Sequence, residues 1–255
     1  MKSLPRAEFE TLIRDARILE ADKRGPKVYE TSDGCIIKLF RIKRRLSSNL
    51  WSPFATRFEK NAKKLKALGL PSVEVLEVAW VQHIHRQMVV YRKLEGQPLR
   101  SFLRNVSAKK VNETMRDVGR FIAAMQEKGV FFRSLHFGNI LVLPGGDFAL
   151  IDILDVWFKS SPLGVWRRGR NFRHMSRYKE DCQTLLDHWD FFRKGYLETS
   201  FEGSMKQQST KLENALDRHL VQLQAGPVRK LGFFQIANIK AVLSERTSIR
   251  AKGYE

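Results

Sequence analysis

The stretch Phe132-Arg133-Ser134-Leu135-His136-Phe137-Gly138-Asn139-Ile140-Leu141, followed by Leu150-Ile151-Asp152, decides how this chain is read. Val130 to Phe132 and Ile140 to Leu143 are short apolar runs of strand type. Between them a polar loop gathers a serine, a histidine and an asparagine. Pro144-Gly145-Gly146-Asp147 is a turn, and Phe148 to Ile151 is a further strand with Asp152 at its end.

Upstream of this block the pattern is helical. Val111, Met115, Val118, Ile122 and Met125 step by four, three, four and three, which is one buried face of a long helix ended by Gly129. Leu94-Glu95-Gly96-Gln97-Pro98 is a break. Before it, Arg17 to Ala21, Lys27 to Glu30 and Cys35 to Phe40 read as strands, with Asp33-Gly34 as a hairpin turn. Phe54 to Leu68 reads as a helix stopped by Gly69 and Pro71, and Val73 to Val81 and Gln87 to Tyr91 as two more strands. Downstream, Asp155 to Lys179 reads as irregular, with Pro162, Gly164 and Gly169. Two faces, Cys182/Leu185/Leu186/Trp189 and Leu212/Leu216/Leu220/Leu223, then predict closing helices. The expected layout is α+β: residues 1–95 as a small antiparallel sheet with a helix, and residues 96–255 as a mainly helical domain.

The chain has 255 residues, 43% hydrophobic and 29% charged, which fits a folded domain or two small ones and excludes global disorder. Its formal charge of +19 biases partners toward anions. Two cysteines, Cys35 and Cys182, exclude a disulfide scaffold and suit a reducing compartment. No apolar run approaches a membrane span, and Met1 to Arg14 carries no apolar signal core, so a cytoplasmic protein is expected. His83 and His85 have no cysteine pair beside them, which argues against zinc. Gly-x-Ser-x-Gly and Walker-type loops are absent from the sequence.

Asp-Leu-His-x-Gly-Asn-Ile-Leu followed by an apolar strand ending in Ile-Asp is a pattern of the protein-kinase-like superfamily. With Ser134 in place of the aspartate, Ser134 to Leu141 and Ile151-Asp152 resemble its catalytic and metal loops. Within it, the chain looks closest to the bacterial lipopolysaccharide core kinases of the Kdo and heptose group, some of which carry the label toluene-tolerance protein. The resemblance runs from Lys38 to about Asp181. It implies a bilobal kinase-like fold that binds ATP and Mg²⁺ and phosphorylates a core sugar at the cytoplasmic face of the inner membrane. On this reading Asn139 and Asp152 hold Mg²⁺, as a hard cation requires oxygen ligands. Lys38 reaches the phosphates, and Glu59 is its candidate partner, with Glu74 and Glu77 as competitors. Gly25 and Tyr91 join Lys38 and Glu59 among the nucleotide-binding candidates. Asp155 fits the acidic pair after the strand, and Asp181 is placed to hold the catalytic loop backbone.

The departures matter as much. The family's catalytic aspartate falls at Ser134, whose hydroxyl is a poor proton acceptor at neutral pH. His136, two residues on, is the remaining candidate acceptor. Arg133 replaces the usual histidine or glycine, and Ala21 to Lys27 holds one glycine, Gly25, where a phosphate loop would hold three. Two outcomes follow: a kinase, or a pseudokinase that binds nucleotide and regulates or scaffolds. Arg167, Arg168, Arg170, Arg173, His174, Arg177 and Lys179, with Trp166 and Phe172 among them, form a basic run where the activation segment would fall. The five arginines are candidate contacts to an acidic lipopolysaccharide core glycolipid or an anionic membrane surface. Nucleic acid is the lesser expectation. Arg41, Lys43, Arg44 and Arg45 form a second basic cluster, with Trp51 after it. The sequence leaves the acceptor sugar and the oligomeric state open.

Overall fold

A computed structural model describes residues 1–41 and 53–226; Lys43, Arg44, Arg45 and Trp51 lie outside the described residues. The chain is α+β and divides into two compact units. Among the described residues, the first holds residues 1–41, 53–97 and Leu141–Val156, and the second holds Pro98–Ile140 and residues 157–226. The segment bearing Asp152, which the sequence division assigns to the later domain, thus belongs with the sheet.

The first unit is built on β1 (Lys2–Leu4), β2 (Arg17–Asp22), β3 (Gly25–Glu30), β4 (Cys35–Arg41), β5 (Glu74–Val81) and β6 (Arg86–Arg92), ordered β1-β5-β6-β4-β3-β2. The pairs from β2 to β6 are antiparallel, as expected. The edge is not: β1 runs parallel to β5, with Ser3 beside Trp80, so the sheet is mixed. Three residues at the start of the chain carry too little periodicity to announce a strand.

β4 is central and buried on both faces except at Lys38 and Arg41, as the apolar residues on either side of Lys38 favour. Side chains alternate along it. Ile37 and Leu39 face a core with Leu4, Phe9, Tyr29, Val81 and Met88. Phe9 comes from α1 (Arg6–Ile13), a helix whose scattered charges conceal its single buried residue from sequence reading. On the opposite face Phe40 and Tyr91 pack on Phe58 of α2 (Phe54–Ala67), at ring-centroid distances of 5.9 and 5.5 Å. The Gln87 side chain of β6 accepts the Ala55 N–H at 3.0 Å, satisfying a donor that the start of α2 leaves open.

β7 (Gln97–Pro98) leads into the second unit, which begins with α3 (Leu99–Arg104) and α4 (Ala108–Glu127). Ser107 caps α4 through the Lys110 N–H. β8 (Val130–Phe132) follows, then β9 (Ile140–Val142), which carries the chain back to the first unit, and β10 (Phe148–Leu150). β11 (Val156–Phe158) returns to the second unit, completed by α5 (Val165–Met175), α6 (Lys179–Asp187), α7 (Trp189–Glu202) and α8 (Ser209–Gln224). α4 and α7 approach closely because Gly119 and Gly195 lie where they cross. A Cβ on Gly195 would run into the Arg116 carbonyl, and one on Gly119 into that of Phe192.

The expected irregular segment from Asp155 to Lys179 contains α5. Its inward positions are Arg168, Asn171, Phe172 and Met175; two polar residues on the buried face break the apolar periodicity that would reveal a helix.

Candidate functional site

In the first unit, Lys38 Nζ donates to Asp152 Oδ1 at 2.6 Å. Lys38 stands opposite Val28 and Val89 on the neighbouring strands, and its side chain is only 17% exposed. An ammonium in a central strand is costly without a partner, and Asp152 supplies it. The carboxylate is 47% exposed, so it remains open to solvent beside the amine. Asp152 adopts φ 52° and ψ 45°, the left-handed region that non-glycine residues seldom enter and that Asp tolerates better than most.

Hydrogen bonds from two neighbouring stretches hold that segment. Ser72 Oγ donates to the Leu150 carbonyl at 2.9 Å, and the Leu150 N–H donates to the Pro71 carbonyl at 2.9 Å. Just past Asp152, Asn61 of α2 donates to the carbonyls of Ile153 at 2.8 Å and Val156 at 3.2 Å. Asn61 is buried and was not marked in the sequence, where it reads as one polar position on a lysine-rich helix.

Lys38 and Asp152 line an open cleft of about 640 Å³ with Glu20, Asp22, Lys23, Arg24, Lys27, Arg41, Arg57 and Asp155, closed by Leu39, Phe40, Phe54 and Leu154. Six cations against four acids favour an anionic ligand. The hairpin loop at Lys23-Arg24 is fixed from both sides. Arg41 grips Asp22 with two bonds of 3.0 and 2.8 Å, and Arg86 donates to the Arg24 carbonyl at 2.8 Å. The Arg24 N–H and the Arg41 guanidinium hold the Asp22 carboxyl down at about 2.

The other nucleotide candidates are placed differently. Glu59 pairs with Lys63 at 2.6 Å, one helical turn on, and not with Lys38. Its competitors are engaged elsewhere, Glu74 with Arg92 and Glu77 with Lys2. The face of α2 toward the sheet is Ala55, Phe58, Asn61, Ala62 and Leu65, so Glu59 points off it. Gly25 shapes the hairpin turn at φ 101°, and it is not among the residues lining the cleft. Tyr91 stacks on Phe58; burial, and then the Asp152 charge, push its phenol up.

In the second unit, the loop after β8 is held by buried side chains. Asp181 is fully buried and takes two bonds from Arg100, at 2.6 and 2.8 Å. Its Oδ2 also accepts the Phe137 N–H at 3.1 Å. Asp181 therefore braces the loop backbone. Asn171 donates to the Phe132 carbonyl at 2.7 Å. Asn139 is buried and donates through Nδ2 to the Ser134 carbonyl at 2.9 Å, which assigns the other end of its amide as the oxygen. The His136 ring stands edge-on to Tyr178 at 4.9 Å, and Tyr178 lies under the Arg100 guanidinium, also at 4.9 Å. Arg100 and Asn171 had no signal in the sequence, because their partners are 81 and 39 residues away.

Of the five arginines proposed for substrate, Arg167, Arg173 and Arg177 are exposed and Arg170 is half-buried. Arg168 is not on the surface. It is completely buried, bonding the Leu163 carbonyl at 2.7 Å, Tyr196 at 3.2 Å and Glu127 at 2.6 Å. It braces α4, α5 and α7, because α5 turns that position inward.

Among the described residues, no group of three or more His, Cys, Asp and Glu could hold a metal by itself, and no helix is long and apolar enough to cross a membrane. No protein-family model matches the chain, and no curated relative matches it.

Proposed function

We propose that the protein binds ATP with Mg²⁺ and transfers the γ-phosphate to a sugar hydroxyl of the lipopolysaccharide core, acting in the cytoplasm at the inner-membrane surface. The observation that carries the nucleotide part is the Lys38–Asp152 pair inside a cleft rich in cations. The donor set fits the cofactor. Mg²⁺ is commonly held by one or two carboxylates together with phosphate oxygens and water, not by a complete protein cage. Asp152 would hold the ion in the cleft. When bound, the ion neutralises phosphate charge. Lys38 reaches the phosphates as a point charge, and Lys23, Arg24 and Lys27 surround them from the hairpin. Phosphoryl transfer depends mainly on such positioning and charge stabilisation.

A second reading, a pseudokinase that binds nucleotide and regulates or scaffolds envelope glycolipid assembly, is favoured by Ser134 itself. It offers a hydroxyl where a carboxylate would take the acceptor proton.

Purified protein with ATP, Mg²⁺ and dephosphorylated core oligosaccharide separates these. The kinase reading expects a phosphorylated sugar by mass spectrometry, lost in Asp152→Ala. Nucleotide binding with no phosphorylated product selects the pseudokinase. Failure to bind nucleotide at all overturns both.

A further inference from the structure

The second unit exposes aromatic rings that the phosphotransfer reading leaves unused. Trp157 is 54% exposed and Trp166 is 66% exposed. An indole has an apolar body and a polar N–H, so exposed indoles set among cations suit a partner that is apolar beneath a charged layer. Arg170 links them, lying over Trp166 and lining a cleft with Trp157. Arg170 lies 4.9 Å from the Trp166 ring and 5.9 Å from that of Phe131. Phe131, Trp157 and Phe158 then line a shallow cleft of about 530 Å³ with Arg133, Lys159, Arg167 and Arg170. Every charged residue of that lining is a cation.

α5 presents this face along its length. Its buried side is Arg168, Asn171, Phe172 and Met175, which leaves Trp166, Arg170 and Arg173 as one outward stripe at helical spacing. The positive field is strong enough to act on a neighbour. Burial, and then Arg170, Arg133, Arg173 and Arg177, hold the His174 imidazole down at about 4.

We propose that this face docks on an anionic lipid bilayer, with Trp157 and Trp166 entering the headgroup region and Arg133, Lys159, Arg167, Arg170 and Arg173 meeting lipid phosphates. Indoles flanked by arginine and lysine are the side chains that settle at a membrane interface. Single-stranded RNA shares the taste for cations and rings, but it needs open aromatic faces for stacking. One face of Trp166 is already covered by Arg170, and an interfacial indole needs no open face.

The test is sedimentation with vesicles of phosphatidylcholine alone or with roughly a quarter phosphatidylglycerol, at about 100 mM salt, where long-range attraction is screened. The protein should pellet with the anionic vesicles, with a blue shift in tryptophan emission, and stay in solution with neutral ones. Trp157→Ala/Trp166→Ala should weaken binding at least about ten-fold, and Arg167→Ala about five-fold. Both positions are exposed, so folding should survive. Lys38→Met should bind vesicles as the parent does, which separates this proposal from the nucleotide reading. The proposal is overturned if anionic vesicles leave the protein in solution or if the double tryptophan variant binds them equally. It is also overturned if the same variant instead loses tight, salt-steep binding to an RNA homopolymer, since that assigns the face to nucleic acid.

Discussion

The ammonium of Lys38 and a carboxylate oxygen of Asp152 meet at 2.6 Å although 114 residues separate them in the chain. The contact is made inside one compact unit, because Leu141–Val156 folds with the sheet. Lys38→Met removes the charge and keeps the length of the side chain. Asp152 is left half-exposed, so water takes over its solvation and the unliganded fold should change by less than about 1 kcal/mol. Ligand binding should not survive. ATP with Mg²⁺ at about a hundred times its Kd would stabilise the parent by about 2.7 kcal/mol, read as a rise of Tm in differential scanning fluorimetry, and Lys38→Met should show no rise.

Ser134 tests the kinase against the pseudokinase directly. Its carbonyl accepts from Asn139, which helps hold the backbone at 134, and on the kinase reading the substitution supplies the base. Ser134→Asp should raise phosphate transfer to core oligosaccharide by about 10²–10⁴-fold, the usual contribution of a general base. An unchanged rate would show that base loss is not what limits the parent.

Arg168 and Arg167 are adjacent, and their substitutions should differ sharply. Arg168→Ala strands Glu127 and empties a fully buried volume, which should cost about 3–5 kcal/mol. Arg167→Ala, on the exposed side of the same helix, should stay within about 0.5 kcal/mol. Urea denaturation followed by circular dichroism compares them, and equal losses would contradict the inward placement of Arg168.

Gly129 ends α4 at φ 75°, and a Cβ there would strike the Lys159 carbonyl and sit 2.8 Å from that of Ser161. Gly129→Ala should therefore cost more than the roughly 1–2 kcal/mol of the left-handed conformation alone. Gly69 has φ 66° with nothing near its would-be Cβ, so Gly69→Ala should show only that conformational cost. Thermal melts of the two variants give the comparison.

His219 is buried against Phe172 and Trp189, at ring distances of 5.4 and 5.8 Å. Neither ring nitrogen makes a hydrogen bond of good geometry; the nearby Gln222 amide pulls the pKa up, but burial dominates and lowers it to about 3 from 6.5. Between those values the unfolded chain binds the proton and the folded chain does not. Stability from this residue is therefore complete above pH 6.5 and falls as the pH drops toward 3. At pH 5 the loss is about 2 kcal/mol relative to pH 7.5. His174, lowered to about 4, acts in the same direction. His219→Leu should flatten the pH dependence of urea stability by that amount; an unchanged profile would mean that His219 does not titrate on unfolding.

Local pattern determined much of this protein. The β-rich run Cys35 to Phe40 read as a strand, the steps from Val111 to Met125 read as one helix face, and Asp33-Gly34 and Gly69 punctuated the chain where they stand. These features are written in neighbouring residues, and steric and hydrophobic periodicity act over that range. The tertiary structure decided what depends on distant partners. It paired Lys38 with Asp152 in place of Glu59, buried Arg168 among Glu127 and Tyr196, set Asn61 and Asp181 to brace two loops, and laid β1 parallel to β5. A charged side chain looks the same in sequence whether it meets water or a buried counter-charge. Which it meets is fixed only when the chain closes and desolvation must be balanced residue by residue.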